Sequence, residues 1–217
     1  MKAAEILSHV DHTLLKQTAT WHDIQRICDE AIKYHTATVM VPSSFVPRIV
    51  AKYGKQLKVA TVVGFPNGNC NTAAKIAETA QALADGAEEI DMVINIGMLK
   101  AGETNYVTDE IRALKKLCGE RVLKVIVETC FLTEEEKIAA CQCVTEGGAD
   151  FIKTSTGFGS AGAKLSDIEL FKKHIGPNVQ MKAAGGIHTR EEMEAFLAAG
   201  CTRLGASAAV KVLKDEL

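Results

Sequence analysis

No apolar run in this chain approaches the ~20 residues that a helix needs to span a bilayer. Positive charge is not in excess either. Against 27 Asp plus Glu stand 25 Lys plus Arg, so no general attraction to nucleic acid or to an anionic membrane is expected, and any anion must be held locally. The seven cysteines (28, 70, 118, 130, 141, 143 and 201) contain no C-x-x-C pair, and the six histidines show no zinc-like spacing. Neither a metal nor thioredoxin-like chemistry is therefore expected, and an odd number of cysteines suits a reduced, cytoplasmic protein. Met1 to Thr13 has no continuous apolar stretch and no cleavage site, so no secretory signal is expected. The KDEL at Lys214 to Leu217 then reads as the composition of a helical tail rather than a retention address.

What the chain has in quantity is alternation. With 47% hydrophobic and 24% charged residues over 217 positions it can bury a substantial core, and it is expected to form one domain spanning 1–217. After a short N-terminal helix, β-rich runs occur at His9–Leu15, Ala37–Val41, Leu57–Phe65, Glu89–Ile96, Val122–Thr129, Asp150–Lys153, Val179–Ala183 and Thr202–Gly205. Each is followed by helical spacing, as over Trp21–Tyr34, where Ile24, Ile27, Cys28, Ala31 and Ile32 share a face and Thr20 is the expected N-cap. Thr133 with Glu136 three residues on forms a capping box. Gly97 and Gly102 are read as a turn. Eight strand–helix units predict parallel pairing and a closed (β/α)8 TIM barrel with a short extra N-terminal helix; an open doubly wound sheet is the structural alternative.

Strand parity then sorts the side chains. Ile90, Met92 and Ile94 form one apolar face, leaving Asp91 on the other; Leu123, Val125 and Val127 do the same, leaving Lys124. On the next two strands Ile152, and Val179 with Met181, face the helices, so Lys153 and Lys182 point inward. Four consecutive strands thus carry Asp91, Lys124, Lys153 and Lys182 into the barrel, too much polarity for an inert core.

Lys153 and Lys182 each end a short apolar strand, where barrel enzymes carry their chemistry. On neighbouring strands their backbones lie about 5 Å apart. Two ammonium groups about 4 Å apart repel by about 4 kcal/mol at an effective dielectric near 20, roughly 3 pKa units. Lys153 is then partly neutral near pH 7, as a Schiff-base nucleophile must be, with Asp91 as the proton carrier. A carboxylate that only neutralises Lys124 is the plainer role for Asp91, and the two roles are compatible. The turns AAGGIHT (Ala183–Thr189) and RLGAS (Arg203–Ser207) each end a strand and open a helix after the seventh and eighth strands, a combination suited to a phosphate.

Taken together, DHTLLK, VATVVGFPNGN, EIDMVINIG, LKVIVET, DFIKTSTGFG, MKAAGGI and RLGAS resemble the deoxyribose-phosphate aldolase family over nearly the whole chain. The resemblance implies a metal-independent class I aldolase cleaving 2-deoxy-D-ribose 5-phosphate to D-glyceraldehyde 3-phosphate and acetaldehyde, with no cofactor and a homodimeric assembly. Lys153 matches the Schiff-base lysine, Lys182 the lysine that tunes it, Asp91 the proton-transferring carboxylate and Lys124 a supporting lysine. Thr156, Gly157, Gly185, Gly186, Gly205 and Ser207 match substrate and phosphate contacts. The chain departs from some members at Phe158 (a lysine there), His188 (an arginine) and Ala208 (a second serine), and it ends at Leu217 without a terminal tyrosine. The competing non-enzymatic class is a sugar-phosphate-binding barrel without activity.

Overall fold

The structure, a computed structural model, describes residues 1–217. Eight parallel strands close in chain order into a barrel, β1 pairing with both β2 and β8. The strands are β1 Val10–Thr13, β2 Thr38–Val41, β3 Val59–Val63, β4 Glu89–Val93, β5 Val122–Ile126, β6 Phe151–Lys153, β7 Gln180–Ala184 and β8 Arg203–Gly205. Around them lie α2 Trp21–Tyr34, α3 Val46–Tyr53, α4 Thr72–Ala84, α6 Thr104–Cys118, α7 Glu134–Glu146, α8 Leu165–His174, α9 Arg190–Ala198 and α10 Ala209–Leu213. The expected extra N-terminal helix is α1, Ala3–Leu7, which buries Ala3, Ile6 and Leu7 and packs against α10.

Local sequence explains where these helices start. Thr20, Thr133 and Thr189 each accept a bond from the third backbone N–H of their helix, and Asp23, Glu136 and Glu192 in turn accept from the backbone N–H of the cap residue. Such a cap stabilises by about 1 kcal/mol. The helices bury their apolar faces, such as Val107, Ile111, Leu114 and Cys118 of α6, in the same core as the outward strand residues Ile90, Met92, Leu123, Val125 and Ile152.

Two expectations about elements need correction. The strands stop short of the β-rich runs: β3 ends at Val63 because Gly64 is left-handed (φ 63°), and β5 ends two residues before Glu128, also left-handed (φ 52°). Second, only Gly102 of the two glycines after β4 makes a left-handed turn (φ 79°). Gly97 lies inside a short helix, α5 (Ile96–Lys100), because the side chain of Asn95 caps it by accepting from the N–H of Met98 at 3.2 Å.

The barrel interior has two unlike halves. From β2 and β3, Met40, Ala60 and Val62 form a small apolar cluster with Leu15 and Phe65. The remaining strands fill the interior with charge.

Candidate active site

Strand register brings the four inward side chains together. Asp91 is level with Lys124, and Lys153 with Lys182, while Lys124 is level with Phe151, one inward position below Lys153. Asp91 accepts from all three ammonium groups: Lys124 at 2.8 Å through Oδ1, Lys153 at 2.8 Å and Lys182 at 2.7 Å through Oδ2. Toward the other end of the barrel the chain of charges continues. Lys124 lies 2.5 Å from Glu89, and Arg203 donates to Glu89 at 2.8 Å and to Asp11 at 2.6 Å. Asp11 also accepts from Lys182 and, at 2.7 Å, from Thr38.

Sequence reasoning did not place Asp11, Glu89 and Arg203 in this network. Asp11 sits in a four-residue strand of mixed polarity, where parity has too little to work on. Arg203 opens the glycine turn assigned to phosphate, but its guanidinium points into the barrel.

The electrostatics of Lys153 differ from the sequence expectation in cause rather than direction. Its pKa falls to about 8, first because the group is buried; Asp91 opposes that fall, and repulsion from Lys182 adds to it. The carboxylate that both lysines share screens much of the expected repulsion. Burial would raise the carboxyl of Asp91, but Lys124, Lys153 and Lys182 outweigh burial and hold it well below the usual carboxylate range. Asp11 is lowered likewise, against burial, chiefly by Lys182. For Lys124 the carboxylates Asp91, Asp11 and Glu89 overcome burial and raise the pKa.

A test follows from the signs. Lys182→Met removes a cation that disfavours protonated Lys153, so the acidic limb of the kcat/KM profile should move to higher pH. A limb that stays in place would leave burial alone as the cause.

Of the charged cluster, only Lys153 lines the cavity at the mouth of the barrel. The cavity, about 430 Å³, opens at the C-terminal ends of the strands and is lined by Lys153 together with Thr156, Gly157, Gly185, Gly186, Gly205 and Ser207. All six expected substrate contacts thus meet the nucleophile candidate, whereas Asp91 and Lys182 are fully buried behind it. Phe158 and His188 also line the wall, and Phe158 packs edge-on against Phe65 with ring centroids 5.3 Å apart. Gly185 and Gly186 are left-handed (φ 83° and 72°), and a Cβ on the facing Gly162 would lie 2.2 Å from the carbonyl oxygen of Gly185, so the two loops meet backbone to backbone.

Two further points revise the sequence picture. Glu192 accepts from the backbone N–H groups of His188 and Thr189, at 2.7 and 3.0 Å, so the start of α9 is already capped. An anion here would meet the glycine turn instead. Glu128 was given no task by the sequence. Its buried carboxylate accepts from the hydroxyl of Thr156 and from its N–H at 3.2 Å, fixing the loop that carries Thr156, Gly157 and Phe158.

A closed (β/α)8 barrel with a recessed lysine at the C-terminal strand ends and glycine turns beside it has the build of a barrel enzyme. The chain belongs to the DeoC/LacD family of aldolases, whose family model matches residues 6–211, and it is an aldolase, a lyase. It is 62% identical over 216 residues to the deoxyribose-phosphate aldolase of Clostridium botulinum (strain Eklund 17B / Type B), covering 100% of this chain and 98% of that one. It is 50% identical to the deoxyribose-phosphate aldolase of Streptococcus pyogenes serotype M4 (strain MGAS10750), covering 100% and 97%. A deoxyribose phosphate aldolase from Aeropyrum pernix, of tetrameric structure, superposes with a TM-score of 0.92 at 28% identity, covering 99% of this chain and 92% of that one. No helix is long and apolar enough to cross a membrane.

Proposed function

We propose that the chain cleaves 2-deoxy-D-ribose 5-phosphate reversibly to D-glyceraldehyde 3-phosphate and acetaldehyde through an imine on Lys153. The observation that carries this reading is that Lys153 alone, of four buried lysines, combines a lowered pKa with a place on the cavity wall. Only a neutral amine attacks a carbonyl, and with a pKa near 8 roughly a tenth of Lys153 is neutral at pH 7.

The neutral amine adds to the C1 aldehyde of the open sugar, and loss of water gives a protonated imine. Removal of the C3 hydroxyl proton lets the electrons of the C2–C3 bond move toward the imine nitrogen, releasing glyceraldehyde 3-phosphate and leaving an enamine. Protonation at C2 and addition of water then free acetaldehyde and restore Lys153. Asp91 and Lys182 share a hydrogen-bonded contact directly behind the reacting nitrogen, a suitable pair for proton transfer to and from that site. The low pKa of Asp91 makes its resting role charge balance between Lys153 and Lys182. Lys124 holds the opposite oxygen of Asp91. Thr156, Gly157, Gly185, Gly186, Gly205 and Ser207 orient the substrate.

The acidic limb of kcat/KM should rise with pH, pass half its plateau near pH 8 and level off above that, because protonated Lys153 is the inactive form. Borohydride added with acetaldehyde should leave a reduced two-carbon adduct on the peptide containing Lys153. Active protein that gives no adduct there would rule out the imine mechanism, and absence of turnover would favour a binding barrel without activity. The 217 residues act in this reading as one barrel domain in the cytoplasm, in deoxyribonucleotide breakdown. We read the assembly as a homodimer, to be checked by light scattering against the tetramer of the A. pernix protein.

A further inference from the structure

We propose that Lys16 supplies the cation that holds the substrate's phosphate, making it a specificity-determining residue of this aldolase; the assignment rests on the function proposed above. A phosphate carries nearly two negative charges, and taking it into a cavity is costly unless donors and an opposite charge receive it. The residues lining the cavity that bear full or potential positive charge are Lys16, Lys153 and His188, and no carboxylate lines it. Lys153 is committed to the imine. Lys16 is exposed, and its ammonium makes no hydrogen bond or ion pair within the protein, unlike the buried lysines of the barrel.

Barrel closure puts Lys16 in the right place. β1 pairs with β8 through Val10 with Leu204 and Asp11 with Gly205, so the loop that follows β1 stands beside the turn at Ala206 and Ser207. The next loop around the barrel carries Gly185 and Gly186. Backbone N–H groups of Gly186 and Ser207 donate to no acceptor of the protein, and both residues line the same cavity as Lys16. The adjoining cavity, lined by Leu15, Phe65 and Phe158, also borders Lys16 but carries the carboxylate of Glu78. Of the two cavities that Lys16 borders, the one with the free N–H groups of Gly186 and Ser207 and no carboxylate is where an anion finds its donors. A lysine suits that task as a compact point charge on a long stem that can follow the phosphate in and out.

The test compares retro-aldol cleavage of 2-deoxyribose 5-phosphate and of unphosphorylated 2-deoxyribose by wild type, Lys16→Gln and Lys16→Arg, with inorganic phosphate as competitive inhibitor. Lys16→Gln should lower the kcat/KM preference for the phosphorylated sugar by about 10- to 100-fold, the worth of a hydrogen bond to a charged group. The inhibition constant for phosphate should rise by a similar factor, and Lys16→Arg should keep most of the preference. Active Lys16→Gln enzyme with wild-type preference and wild-type phosphate inhibition would overturn the assignment of Lys16 and leave the aldolase reading intact. Wild-type protein that cleaves neither sugar would overturn both.

Discussion

Lys153→Ala is expected to lower kcat/KM by at least ~10⁴-fold, since loss of a covalent nucleophile removes the route and not merely a contact. It should also abolish the borohydride adduct with acetaldehyde. The fold should tolerate the change. Asp91 keeps Lys124 at 2.8 Å and Lys182 at 2.7 Å, so no buried carboxylate is left without a partner. Lys153→Met keeps most of the side-chain volume and should be equally inactive, which separates lost chemistry from lost packing. Lys182 is the obvious understudy, but it is fully buried and does not border the cavity. Residual activity within tenfold of wild type, with an adduct mapped to another lysine, would move the nucleophile elsewhere.

The second large effect is expected at Asp91, on three observables. Asp91→Asn should reduce stability by about 3–5 kcal/mol, the usual result of breaking a buried ion pair on one side. Lys124 retains Glu89 and Lys182 retains Asp11, so the lysine left without a carboxylate is Lys153. Because Asp91 favours protonated Lys153, its loss should lower the pKa of the amine below about 8 and extend imine formation to lower pH. Turnover should nevertheless fall by about 10²–10⁴-fold if the Asp91–Lys182 pair moves the protons. Denaturant unfolding, the pH dependence of borohydride trapping and steady-state rates read the three effects separately. A variant of unchanged stability would show that the ion network contributes little to the fold, and trapping displaced to higher pH would contradict the direction in which Asp91 acts.

The sequence was most informative where periodicity and chemistry coincided. Strands β4 and β5 are long enough for alternation to separate Ile90, Met92, Leu123 and Val125 from Asp91 and Lys124, and the ladder registers agree with that division. The glycine turns were legible because few other residues accept the backbone of Gly185 and Gly186. Asp11 was not, since its role depends on β1 meeting β8 across nearly the whole chain, a relation no local pattern encodes. Nor was the origin of the Lys153 shift: two lysines on adjacent strands suggest repulsion, yet burial comes first and Asp91 sits between them. Glu128 escaped because it lies past the end of its strand, where a left-handed backbone breaks the alternation.

The ion network in the barrel has an odd number of ionisable members. Lys124, Lys153, Lys182 and Arg203 face the carboxylates Asp11, Glu89 and Asp91, so the interior is electrically neutral only when one of its bases is bare. Lys153 is the base with a single carboxylate contact and an opening to water, which makes it the member that gives up its proton. The odd count means that a substitution changing one charge anywhere along the barrel, even at Glu89 or Arg203 far from the mouth, alters the reactivity of the amine. Such positions are free to vary in compensating pairs, as in Glu89→Gln combined with Arg203→Met, and not one at a time.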